Sequence, residues 1–185
     1  MHVLIFDTET TGLIKHSQVP LAQQPFIIEL GVILWERPEP KARGNGNVTE
    51  ASWLFHPGVK LDSVITKITG LTDHDLEGQP TFAEKANDVA SMFAQADVAV
   101  AHNFEFDYRM VSNELTRCAF PHFPWPKMTM CTVRQYEHVF GHRPTLQQLY
   151  LHVLGTSLAQ THRALDDCRA VLEIMQHDRS ILFPQ

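Results

Sequence analysis

Cysteine is scarce in this chain. Cys118, Cys131 and Cys168 are the only three in 185 residues, they lie far apart, and no two form a Cys-x-x-Cys pair. An odd, scattered set argues against a disulfide framework and fits a reducing cytoplasm. No apolar run approaches the roughly 18 residues that a membrane span requires, so no membrane association is expected. The first apolar run begins almost at the first residue, which leaves no room for a signal peptide. A Gly-x-x-x-x-Gly-Lys loop is absent, which excludes the common type of nucleoside-triphosphate motor. Repeats, low-complexity tracts and linkers are absent as well. Basic residues are in deficit: 15 Lys and Arg stand against 21 Asp and Glu, for a net charge of −6. That balance weighs against nucleic-acid binding through a basic surface. The objection weakens if carboxylates gather on divalent cations, because a bound cation inverts the local charge.

What is present suits one domain, residues 1–185, with a sizeable core. Its organising stretch is Val3-Leu4-Ile5-Phe6-Asp7-Thr8-Glu9-Thr10-Thr11-Gly12. The apolar, partly β-branched start reads as a buried strand. Residues two apart on a strand share a face, so Asp7 and Glu9 point one way and Thr8 the other. Two acids side by side repel unless a cation sits between them. Gly12 then lets the chain turn away.

A Pro-punctuated loop from Leu13 to Gln24 leads to a second strand, Phe26 to Trp35. The Glu36–Glu50 connection is rich in Pro, Gly and charge, and is longer than a tight hairpin needs. A third strand covers Ala51 to Phe55. Three strands joined by turns predict an antiparallel meander. The chain then turns helical. Asp62 caps a helix ending at Gly70, and Thr81 with Glu84 forms a capping box for a helix reaching about Phe93. A short buried strand, Asp97 to Ala101, is broken by His102-Asn103 and followed by a helix from Phe104 to Arg117. Met128 to Cys131 makes a last strand. Helices follow over Thr132–Phe140, Thr145–Leu154 and His162–His177. This order describes a mixed α/β sheet flanked by helices, which by itself leaves several folds open.

Two further acidic sites accompany the first. Asp107 falls in the opening turn of the Phe104 helix, where an acid also suits the helix dipole. In His162-Arg163-Ala164-Leu165-Asp166-Asp167, the apolar arc of Ala164, Leu165, Cys168, Val171, Leu172 and Met175 puts Asp167 at the core border and Asp166 in solvent. Convergence of Asp7, Glu9, Asp107 and Asp167 gives an oxygen-only set suited to hard cations such as Mg²⁺ or Mn²⁺. A histidine near such a set can take a proton from water near neutral pH. Other candidates are weaker. His138 and His142 are four apart, but Gly141 and Pro144 end the helix there. Trp35 and Trp53 sit in strand patterns and read as core; Trp125 could stack on bases.

Phe6-Asp7-Thr8-Glu9-Thr10-Thr11-Gly12, His102-Asn103 leading to Phe106-Asp107, and His162-Arg163-Ala164-Leu165-Asp166-Asp167 resemble the three motifs of the DnaQ-like exonuclease family. The variant resembled is DEDDh, with a histidine five residues before the last aspartate. Ile68-Thr69-Gly70-Leu71-Thr72-Asp73 resembles a segment between the first two motifs. The likeness runs from about His2 to Met175 and extends to bacterial proofreading subunits and RNase T-type enzymes. It implies a ribonuclease H-like fold, with the three-strand meander extended by parallel strands, and 3′→5′ exonuclease chemistry. It further implies that Asp7, Glu9, Asp107 and Asp167 hold two Mg²⁺ or Mn²⁺ ions and that His162 activates the attacking water. Thr10 and Thr11 would meet the terminal sugar; Thr69, Leu71, Asn103 and Phe106 would flank the last nucleotide.

The implied partner is single-stranded nucleic acid with a free 3′ end, DNA before RNA. The alternatives are an exoribonuclease, or a catalytically silent nucleic-acid-binding or polymerase-accessory module on the same fold. Proofreading subunits carry a polymerase-binding tail after the last motif. The chain ends at Gln185, so a stand-alone enzyme, or one held to a polymerase or repair protein by another surface, is expected.

Overall fold

The computed structural model describes residues 1–39, 44–159 and 161–178. Its centre is one five-stranded sheet. β1 (His2–Thr10) pairs antiparallel with β2 (Ile27–Glu36), which pairs antiparallel with β3 (Val48–Leu54). On its other side β1 pairs parallel with β4 (Val98–Ala101), and β4 pairs parallel with β5 (Met128–Cys131). The spatial order is β3-β2-β1-β4-β5. The expected mixed ribonuclease H-like sheet flanked by helices is therefore present, with the meander forming one half.

The helices follow in the order α1 (Ser63–Thr69), α2 (Asp73–Leu76), α3 (Phe82–Phe93), α4 (Phe104–Arg117), α5 (Thr132–Phe140), α6 (Leu146–Leu154) and α7 (Ala164–His177). They cover both faces, which is why β1 and β2 read as almost unbroken apolar runs. Val3, Ile5, Ile33, Trp35, Val98 and Val100 pack against Tyr136, Leu146, Leu149, Cys168 and Val171 from α5, α6 and α7. Leu4, Phe6, Leu30, Val32, Leu34, Ala99 and Ala101 pack against Phe82, Val89, Phe93, Met110 and Val111 from α3 and α4. A small third cluster, Ile28 with Leu71 and Leu76, seats α1 and α2 at one end.

Several boundaries differ from the sequence expectation. β3 starts at Val48 instead of Ala51, because its edge pairing with β2 continues to Trp35. Beyond that pairing Glu36 donates its N–H to the Asn47 carbonyl at 2.8 Å, which closes the ends of the Glu36–Glu50 connection; residues 40–43 of it lie outside the described residues. The short α2 arises from a Thr72–Asp75 capping box that apolar periodicity does not reveal. α7 starts at Ala164, two residues later than expected, with His162 outside it in a left-handed conformation, φ 51°.

Candidate active site

The site forms where the C-terminal ends of β1 and β4 meet the starts of α4 and α7. Alternation along β1 sends Asp7 and Glu9 toward α7 and Thr8 toward α4, as the sequence predicts. The first turn of α7 brings Asp167 to the same place. One carboxylate oxygen each from Asp7, Glu9 and Asp167 lie within 4.8 Å of one another. Asp167 is buried, while Asp166 points outward to Thr161 and Arg169.

Asp107 joins from the opposite face. Its Oδ1 accepts from the Thr8 N–H at 3.0 Å and from the Thr8 hydroxyl at 2.7 Å, and only 2% of the residue is exposed. It stands outside the trio but close enough to act on it electrostatically. Burial, then the charges of Asp107, Asp167 and Glu9, push the Asp7 carboxyl well above the usual range. Burial followed by Asp167 and Glu29 pushes Glu9 up to about 8. Burial pushes Asp107 up to about 7, against the pull of its two bonds from Thr8. The positive charge of Arg163 pulls Glu9 back downward. Carboxylate oxygens crowded at this spacing fit a hard divalent cation well.

Two features seat the start of α7, and neither was anticipated from sequence. Gly31 lies opposite Asp7 in the sheet, and a Cβ there would come within 2.5 Å of the Ala164 backbone. Only glycine lets α7 approach β2 this closely. Glu29 lies opposite Glu9 and is 2% exposed. Its two oxygens accept from Arg163 Nε and Nη2, both at 2.9 Å, and one of them also accepts from the Ala164 N–H at 3.2 Å. An acid inside the otherwise apolar Phe26–Trp35 run was the available signal. Its partner lies 134 residues away, beyond any local pattern.

The remaining candidates are placed as follows. His162 is half-buried at the entrance to α7. His102 accepts or donates at 2.8 Å to the Thr132 hydroxyl, and burial pushes its pKa down to about 4, which makes it a neutral structural group at pH 7. The Thr10 hydroxyl donates to the Gly12 carbonyl at 2.7 Å. Thr11 is tied to Phe26: its N–H donates to the Phe26 carbonyl, and its hydroxyl oxygen accepts from the Phe26 N–H, both at 2.9 Å. The N–H and hydroxyl of Thr11, a residue expected to meet the terminal sugar, are thus both engaged with Phe26. Thr69 and Leu71 are buried; the Thr69 hydroxyl donates to Ile65 and accepts from the Leu71 N–H. Asn103 stands at the N-cap position of α4 with φ 72° but makes no side-chain cap; its Oδ1 accepts from Arg143 at 2.6 Å. Phe106 is half-buried against the α4 core. α5 ends at Phe140, so His142 is off the helix and does not pair with His138. Trp35 is core, and Trp125 packs edge-on against Phe93 in an aromatic cluster.

The family model described as Exonuclease, RNase_T, matches residues 4–175. The chain is 32% identical over 173 residues to DNA polymerase III subunit epsilon of Treponema pallidum, across 91% of this chain and 72% of that protein. It is 29% identical over 177 residues to the PolC-type DNA polymerase III of Clostridium perfringens, of whose length it spans only 11%. Among solved structures, Exonuclease X in complex with 5′ overhanging duplex DNA superposes with a TM-score of 0.61 at 21% identity, over 96% of this chain and 93% of that one; this is a likeness of fold. With its acids gathered at the ends of β1, α4 and α7 and this family match along nearly its whole length, the chain belongs to the DnaQ-like, RNase T-type 3′→5′ exonucleases, relatives of the DNA polymerase III proofreading subunits.

Proposed function

We propose that the chain removes nucleotides one at a time from the free 3′ end of single-stranded nucleic acid, DNA in preference to RNA, and releases nucleoside 5′-monophosphates. The observation that carries this reading is the convergence of Asp7, Glu9 and Asp167 oxygens within 4.8 Å, with buried Asp107 beside them. These four acids would hold two Mg²⁺ or Mn²⁺ ions. When bound, such ions supply positive charge to the phosphate oxygens and lower the pKa of water. His162 takes the proton of the attacking water as its oxygen bonds to phosphorus. The bond from phosphorus to the 3′ oxygen of the preceding nucleotide breaks, and that oxygen gains a proton. A terminal 3′-hydroxyl can donate to the Glu9 carboxylate, whereas a 3′-phosphate meets it as a like charge.

Thr10, Thr11, Thr69, Leu71, Asn103 and Phe106 line the approach of the last nucleotide in this reading. With Thr11 tied to Phe26, its role is to fix the backbone path beside the sugar. A paired terminus must unstack to reach the acids, at a few kcal/mol, so single strands are preferred. The names of the DNA polymerase III relatives support DNA as substrate, and a replication or repair protein as partner. One exonuclease domain over residues 1–185, working in the cytoplasm, completes the proposal. A silent binding module on the same fold would have no need of four clustered acids and a histidine. Matched single-stranded DNA, duplex DNA and RNA, each incubated with Mg²⁺ or Mn²⁺ and with EDTA, separate these readings. Metal-dependent shortening of the DNA strand supports the proposal; tight binding without hydrolysis favours the silent module, and faster loss of RNA favours an exoribonuclease.

A further inference from the structure

Glu29 is a buried acid that the proposed chemistry does not use. It lies beside Glu9 on β2, where one more negative charge works against the cluster. Its hydrogen bonds point the other way, into the start of α7. Arg163 is the N-cap of α7, yet its side chain makes no cap of its own. Glu29 supplies that cap from another strand, through the Ala164 N–H, and grips the Arg163 guanidinium with both oxygens. Ser52 of β3 adds a hydroxyl donor at 3.3 Å. Arg163 is thereby held extended, at φ −116° and ψ 128°. His162 precedes it by one peptide bond and is left-handed, at φ 51°. A non-glycine residue keeps such a conformation only where its surroundings over-determine it.

We propose that the Glu29–Arg163 clamp is a positioning device for His162: it fixes the left-handed turn into α7 that carries the imidazole. Asp167 depends on it less. The Asp167 N–H donates to the Arg163 carbonyl within the helix, and the α7 backbone rests on Gly31. The clamp therefore acts on the proton-transfer step and leaves cation binding largely alone. This inference rests on His162 being the base in the proposed function, and the test keeps the two apart.

The experiment is a double-mutant cycle. Glu29→Gln keeps an acceptor for the Ala164 N–H but loses the charge pair. Arg163→Met removes the fork but alone leaves the buried Glu29 carboxylate without its countercharge, so the Glu29→Gln, Arg163→Met double variant is the one the fold should tolerate best. Each is measured alone, together and in a His162→Ala background. The readouts are kcat and KM on a 5′-labelled single strand, and Mn²⁺ affinity by calorimetry. Each clamp variant should lower kcat by about 10–100-fold, in the range seen when residues supporting a site are removed. KM and Mn²⁺ affinity should stay within about twofold, and the double clamp variant should resemble either single one. In the His162→Ala background the same substitutions should change kcat by less than about twofold, because the group they position is gone. Equal losses with and without His162, a fall in Mn²⁺ affinity matching the fall in kcat, or unchanged kcat would overturn the clamp's role. Inactive wild type, or a fully active His162→Ala protein, would instead overturn the proposed function.

Discussion

Asp166 and Asp167 are neighbours in sequence and differ in everything the fold does to them. Asp167 faces Asp7 and Glu9, and Asp166 bonds to Thr161 and Arg169 on the surface. Asp167→Asn should therefore abolish hydrolysis, while Asp166→Asn should stay within a few-fold of wild type; steady-state rates on a labelled strand compare them. The raised acids also predict how stability depends on pH. Glu9 moves from about 4.5 to about 8, and Asp107 from about 3.8 to about 7, so the folded protein without metal keeps protons that the unfolded chain has lost. The stability contributed by these groups is full below pH 4 and declines as pH rises toward 8. Divalent cations bind the ionised acids, so the rise in Tm on adding Mg²⁺ or Mn²⁺ should be larger at pH 8 than at pH 5.5. A metal-induced shift that shrinks with rising pH would contradict the placement of the acids. At this scale the side-chain directions were legible: strand alternation separates Thr8 from Asp7 and Glu9, and helical spacing separates Asp167 from Asp166. The Thr10 and Thr11 bonds to Gly12 and Phe26 were not legible, because they depend on how the following loop folds back.

At the scale of elements, the approach of α7 to β2 decides the geometry. Gly31→Ala would drive a methyl into the Ala164 backbone. The helix must move away, with a loss of stability of about 1–3 kcal/mol, typical of overpacking. Since Asp167 rides on that helix, Mn²⁺ affinity and activity should fall together, unlike the split expected of the Glu29–Arg163 variants. Denaturant unfolding and calorimetry on the same protein check both parts. Caps written in the sequence made two helices readable: Asp62 with Gly70 and the Thr81–Glu84 box stand where expected, while Thr145, expected inside α6, is its N-cap. The start of β3 and the position of Glu29 were hidden for one reason. Both are set by partners distant in sequence: Trp35 and Leu34 across the sheet for β3, and Arg163 for Glu29.

At the scale of the whole molecule, a chain of net charge −6 acting on a polyanion needs positive charge from elsewhere. The acid cluster is the place where divalent cations would provide it, and hydrolysis from the 3′ end is proposed to occur there. The direct test uses a 5′-labelled single strand ending in a 3′-hydroxyl or a 3′-phosphate, incubated with the protein in Mg²⁺ or Mn²⁺ and in EDTA, beside a folded Asp7→Ala variant. The wild-type protein with metal should give a descending ladder from the hydroxyl strand. The phosphate strand should resist, and neither EDTA nor Asp7→Ala should give products. Turnover by Asp7→Ala at the wild-type rate, digestion of a covalently closed circle, or immediate release of the 5′ label as a mononucleotide would contradict hydrolysis from the 3′ end at these acids.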